Sequence, residues 1–274
     1  MGKTTRVLVP RHGPVVRITH WINVLALILL LMSGLQIFNA HPALYWGHKS
    51  TFAQPWLSIR MVETPDGPRG VTTVGDRFAD TTGLLGWTGL EGDRRNQAFP
   101  GWATIPSWRD LASGRRWHFF FAWVFVLNGV IYLLSALLGG HLRRNLLPTG
   151  AELRPRHLLA EVAAHARLKF PKGEAARRYN VLQKSSYLAV VLLLLPLMLF
   201  TGLCMSPGVN AAVPWLIDLF GGRQGARSVH FISAGLIVLF VVAHVAMVLA
   251  SGAWNNIRSM ITGRYAIEIE ERRP

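Results

Sequence analysis

The sequence predicts an all-α integral membrane protein, a four-helix bundle with a long Trp-rich extracytoplasmic loop between helices I and II. Three observations lead there. The 274-residue chain is 51% hydrophobic and only 16% charged, whereas a soluble domain carries about 25% charged residues. Four windows, approximately 15–38, 117–138, 181–205 and 229–250, are apolar over about the 20 residues that a hydrocarbon core requires. The cations, finally, are shared unevenly among the segments that connect those windows.

The first window is too polar at its start, and too poor in small-residue cleavage signals, for a removable signal peptide, so it reads as an anchor. The tail before it holds Lys3, Arg6, Arg11 and Arg17 and no acid. The loop 39–115 follows, rich in Gly and Pro, with Trp46, Trp56, Trp87, Trp102 and Trp108. Such aromatics fit a segment lying on the membrane surface, and equally a docking platform for a periplasmic partner. Seven acids accompany its cations, and at this length a loop crosses the membrane regardless of charge.

The loop 141–180 carries nine cations (Arg143, Arg144, Arg154, Arg156, Arg167, Lys169, Lys172, Arg177, Arg178) against three glutamates. It includes an amphipathic stretch, "RPRHLLAEVAAHARLKF", expected to lie on the surface as a connector. Between the third and fourth windows only Arg223 and Arg227 face Asp218. The positive-inside rule then puts the N-terminus, the middle loop and the C-terminus in the cytoplasm. The tail "RYAIEIEERRP" alternates apolar and charged residues, as a short strand or an extended docking segment would. The whole chain, 1–274, reads as a single transmembrane domain. Its net charge of +15 is attributed to topology and lipid headgroups rather than to nucleic acid. The single cysteine, Cys204, excludes a disulfide framework and a Cys-x-x-Cys-His attachment site; packing is its expected role.

Four of the ten histidines lie within the apolar windows: His20, His118, His230 and His244. Histidine in a membrane is costly unless something binds it. His230 and His244 are fourteen residues apart, so they share nearly one helix face and stand about 21 Å apart along it. They cannot share one metal. Helix direction pairs them by depth: His20 with His244 in the cytoplasmic half, His118 with His230 in the outer half. Two bis-histidine layers in a bundle suit two b-type haems, since facing helices build cofactor sites and histidine is a usual axial ligand. His12, His41, His48, His141, His157 and His165 read as loop or interfacial residues.

Arg17, Arg115 and Arg227 each precede one of these histidines by three residues, one turn nearer the surface. They either snorkel, as arginines at helix ends do, or pair with haem propionates. Gly34, fourteen residues after His20, either leaves room for the outer macrocycle or serves close helix packing.

The stretches "RITHWINVLALILLLMSGLQI", "RRWHFFFAWVFVLNGVIYL", "LPLMLFTGLCMSP" and "RSVHFISAGLIVLFVVAHVAM" resemble the bacterial cytochrome b561/nickel-hydrogenase b-type cytochrome superfamily. The likeness extends to cytochrome b subunits of thiosulfate reductases and formate dehydrogenase gamma subunits. It covers all four windows and implies two haem b groups with His20, His118, His230 and His244 as axial ligands, and exchange of electrons with membrane quinone. The long Trp-rich loop departs from the short members. The style of "GRRWHFFFAW" and "TGLCMSP" is similar to cytochromes paired with sulfite-oxidase-like molybdenum enzymes in the periplasm. The resemblance implies an electron-transfer subunit of the bacterial inner membrane rather than a complete enzyme. A stand-alone superoxide:quinone oxidoreductase of the same fold is the first alternative. A non-haem transporter or proton channel is the second, disfavoured because the spans hold no carboxylate and no broken-helix pair.

Overall fold

The structure, a computed structural model, describes residues 4–167 and 179–270. Helices run in the order α1 (Pro14–Phe38), α2 (Leu111–Leu138), α3 (Pro155–Ala166), α4 (Val181–Cys204), α5 (Pro207–Ala212), α6 (Trp215–Asp218), α7 (Arg223–Ala250) and α8 (Ala253–Thr262). The strands are β1 (Thr4–Pro10), β2 (Ala43–Leu44), β3 (Leu57–Thr64), β4 (Gly67–Val74), β5 (Arg77–Asp80), β6 (Trp87–Thr88), β7 (Arg95–Asn96) and β8 (Arg264–Glu270). Lys3, Lys169, Lys172, Arg177 and Arg178, with the last residues of the expected amphipathic stretch and of the tail, lie outside the described residues.

Four helices, α1, α2, α4 and α7, are long and apolar enough to cross a membrane. Only 22, 17, 11 and 11% of their most apolar windows is buried. Leu25, Trp123, Ile131, Leu193 and Leu239 are more than half exposed. Helices apolar on every side and this uncovered would associate in water, whereas hydrocarbon is the solvent that suits them. The ends are set by local chemistry. Asp110 accepts from the Ser113 amide at 3.0 Å and closes the first turn of α2; that bond holds its carboxyl below the usual range. Asn180 and Gln183 form a reciprocal capping box at the start of α4. Within α4 a π-helical turn at Val190–Leu194 precedes Pro196, which has no amide proton to continue the regular ladder.

The expectation of an all-α chain is corrected between α1 and α2. That segment holds a four-stranded antiparallel sheet in the order β2-β3-β4-β5 and a small β6-β7 ribbon. Two turns shape it. Thr64 pairs with Gly67 across Pro65 and Asp66, and Val74 pairs with Arg77 across Gly75 and Asp76. Pro followed by Asp and Gly, and Gly followed by Asp, are favoured turn pairs in hairpins.

The chain divides into two compact units. The first comprises Met1–Ile22, Asn128–Pro196 and Gly235–Pro274. In it β1 and β8 pair antiparallel from Thr4↔Glu270 to Pro10↔Arg264. The expected terminal strand therefore exists, and its partner is the N-terminal tail. Trp21 Nε1 donates to the Met260 carbonyl at 3.1 Å, and Asn255 bonds both the amide and the carbonyl of Ala266 at 2.9 Å. Lys184, 9% exposed, meets both oxygens of Glu152 at 2.8 and 2.9 Å.

The second unit comprises Asn23–Leu127 and Leu197–Ala234. Its core joins Phe38, Leu44, Leu57, Ile59 and Ala98, with Trp56, Leu85, Phe99 and Phe231 packed on them. Segment 41–58 is fastened to the first turns of α7. Arg227 donates to the carbonyls of His41 (2.5 Å) and Ala43 (2.9 Å). Ser228 Oγ accepts from Trp56 Nε1 at 2.9 Å and donates to the Tyr45 carbonyl at 2.6 Å. The amides of Gln224 and Gly225 reach the Gly47 carbonyl. Gly222, at φ +104°, lies so close that a Cβ there would stand 2.7 Å from the Gly47 backbone. Gly222→Ala is therefore expected to cost more than about 1 kcal/mol of stability. A lower Tm of the purified protein would report this, and an unchanged Tm would remove the tight contact.

Candidate functional site

The four intramembrane histidines meet in two pairs, one in each unit. His20 on α1 and His244 on α7 stand with ring centroids 6.4 Å apart, tilted by 54°. His118 on α2 and His230 on α7 stand 6.3 Å apart, at 61°. In the first unit Trp21 meets His20 edge-on at 5.2 Å, and Phe240 stacks on His244 at 5.8 Å. Tyr187 lies 6.4 Å from the His244 ring. Asn128 of α2, buried, donates to the Thr19 carbonyl at 2.8 Å, one residue before His20. The Nδ1 atom of His20 is buried with no hydrogen-bond partner.

The second pair is bonded on its outer side. Ser33 Oγ of α1 lies 3.1 Å from His118 Nδ1, and Thr201 Oγ1 of α4 lies 2.9 Å from His230 Nδ1. The glycine after each hydroxyl residue faces the same imidazole. A Cβ on Gly34 would lie 3.4 Å from His118 Cε1, and one on Gly202 would lie 3.6 Å from His230 Cε1. Gly34 thus has an imidazole as its neighbour. Sequence reasoning passed over Ser33, Thr201, Gly202 and Asn128. The signal was the repeated hydroxyl–Gly–Leu triplet in "LMSGLQ" and "LFTGLC", and a lone amide inside α2.

The spacing of both pairs fits a shared metal. Two metal–nitrogen bonds of about 2 Å, each with about 1.1 Å from nitrogen to ring centre, need centroids about 6 Å apart. Among the described residues no group of three or more His, Cys, Asp or Glu could hold an ion. A bare ion would therefore find two protein donors only, too few for a closed site. A tetrapyrrole brings its own four nitrogens and asks the protein for axial ligands alone. The aromatic rings around the first pair, and the hydroxyls that occupy Nδ1 and leave Nε2 to ligate in the second, agree with such a group.

Comparison with known proteins meets this geometry. The family model described as prokaryotic cytochrome b561 matches residues 11–263. The chain belongs to that family. A relative is the putative protein-methionine-sulfoxide reductase subunit YedZ1 of Azospira oryzae, 28% identical over 237 residues, covering 86% of this chain and 89% of the relative. No solved structure matches. Membership makes the chain a bacterial membrane protein of a haem b electron-transfer family.

In this cytochrome b561 the three arginines of shared offset make three different contacts. Arg17 donates to the Ile261 carbonyl at 2.5 Å, and its Nε is buried without a partner. Arg115 lies 5.6 Å from the Phe119 ring centre. Arg227 holds the His41 and Ala43 carbonyls and lies 5.5 Å from the Phe38 ring centre. Cys204 is buried and packs with Leu216 and Ala226. His165, partly buried on α3, has two hydrogen-bonding neighbours. Its Nδ1 lies 2.9 Å from the Glu161 carbonyl, and its Nε2 lies 3.2 Å from the Asn180 amide at the cap of α4.

His12 closes the first unit's aromatic chain. Its Nδ1 lies 3.2 Å from the Tyr179 hydroxyl, and Tyr179 meets Tyr187 at 5.6 Å. Burial, then the Arg11 charge, lower the His12 pKa to about 4, while burial raises that of Tyr179. Between pH 6.5 and about 4 the unfolded chain binds a proton at His12 that the folded chain refuses. Stability therefore falls as pH drops through that window. Thermal unfolding against pH is expected to show the fall, and His12→Gln to flatten it.

Proposed function

We propose that the chain is the electron-carrying membrane subunit of a quinone-linked oxidoreductase. It would hold two haem b groups, one between His20 and His244 and one between His118 and His230. The observation that carries this reading is the matched ring separation, 6.4 and 6.3 Å, at two places on one long apolar helix. When bound, such a group supplies reversible one-electron transfer, and two imidazoles on one iron leave no open position for oxygen chemistry.

The residues around the pairs serve that task. Trp21, Tyr187 and Phe240 set aromatic rings against the first pair, an apolar wall for a bound group. Arg17, Arg115 and Arg227 offer propionate partners one turn from His20, His118 and His230, with Arg227 shared with the loop carbonyls. Gly34 keeps side-chain bulk away from the His118 ring. The 1–274 chain acts as one cytochrome domain.

Quinone exchanges electrons at one membrane face, and a protein partner does so at the other. That partner is proposed to be a periplasmic molybdenum oxidoreductase of the sulfite-oxidase-like kind. The relative's name, a subunit of a putative protein-methionine-sulfoxide reductase, supports a subunit role. The folded segment between α1 and α2 presents exposed Trp46, Trp102 and Trp108, a surface for this docking. The cation distribution supports cytoplasmic termini and an inner-membrane location.

A pyridine haem count and a reduced-minus-oxidised spectrum test the assignment. Two b haems per chain are expected. His244→Ala and His118→Ala are each expected to remove one of them, and a different one. A variant of either kind that keeps both would break the pairing.

A further inference from the structure

Ser33 and Thr201 are fully buried hydroxyls in apolar helices, and their bonding follows one pattern. Each hydroxyl owns a single proton. Ser33 gives it to the Leu29 carbonyl at 2.6 Å, four residues back, and Thr201 gives it to the Leu197 carbonyl at 2.6 Å. Each oxygen then meets its imidazole as an acceptor, so Nδ1 of His118 and of His230 must carry the proton. A neutral imidazole protonated at Nδ1 keeps its lone pair on Nε2.

The glycine that follows each hydroxyl residue completes a bracket. Gly34 and Gly202 put only backbone against Cε1 of the two rings, where a Cβ would already be in contact. Two helices, α1 and α4, thus present the same hydroxyl–glycine pair to two histidines that face each other. The first unit's pair differs, since His20 Nδ1 is buried without a partner.

We propose that Ser33 and Thr201 are positioning residues that lock His118 and His230 as Nδ1–H tautomers and lower the reduction potential of the haem between them. This rests on the reading that those histidines are its axial ligands. A hydroxyl that accepts from the distal ring N–H makes the imidazole a more basic ligand. A more basic axial ligand favours the oxidised metal, which lowers the potential. Removing either oxygen raises it.

The test is a redox titration of the purified cytochrome with low-temperature EPR of the oxidised form. Ser33→Ala and Thr201→Val are each expected to keep two haems, to shift one midpoint upward and to alter one low-spin signal. The other midpoint should stay in place, and the double variant should shift further. Ser33→Thr and Thr201→Ser should restore the original potential. Should Ser33→Ala fail to assemble, Thr201→Val carries the same measurement from the opposite ligand. Both midpoints and both signals unchanged in a two-haem variant would overturn the proposal. Fewer than two haems in the unsubstituted protein would instead overturn the reading beneath it.

Discussion

Inside hydrocarbon a polar side chain has no water to bond, so the protein or a ligand must answer it. Several of the buried polar groups in these helices are answered by helix backbone. Thr19, Ser33 and Thr201 return their protons to carbonyls four residues back at 2.7, 2.6 and 2.6 Å, and Asn128 reaches the Thr19 carbonyl. The four paired imidazoles are answered differently. Each histidine instead faces another histidine across a gap of metal-binding width. The rest of the site, from the hydroxyl brackets to the aromatic walls, arranges those four rings.

The same economy governs the segment between α1 and α2. Its backbone would be costly in the membrane, and it folds instead into a sheet whose apolar core also takes in Phe38 of α1 and Phe231 of α7. It is not a separate attachment, because Arg227, Ser228 and the amides of Gln224 and Gly225 hold it to the first turns of α7. His230 lies two residues beyond Ser228. A force on the sheet would therefore reach the turn that carries a proposed ligand. Sequence offset alone suggested a propionate partner in Arg227, while its contacts show a clamp on loop carbonyls as well.

Much of the site was legible because helical arithmetic is reliable in long apolar segments. Residue spacing and helix direction are enough to pair His20 with His244 and His118 with His230. Ser33 and Thr201 were less visible because a hydroxyl in a membrane helix defaults to its own i−4 carbonyl, and only the neighbouring helix reveals the second bond. The hairpins were written in "TPDG" and "VGDR" but were overshadowed by the tryptophans, which suggested an interfacial segment. The alternation of "RYAIEIE" marked a strand; its partner, "TTRVLVP", lies at the other end of the chain, and no local pattern joins them. His165 showed no ligand-like neighbours in sequence, because Asn180 reaches it only once α3 and α4 are formed.

The central claim is that each histidine pair closes on one iron from both sides. EPR with spin quantitation on the fully oxidised, purified protein tests it most directly. Two low-spin ferric haems per chain and no high-spin signal are predicted, since two imidazoles would ligate each iron. A high-spin signal of stoichiometric size, or a single low-spin haem, would contradict it.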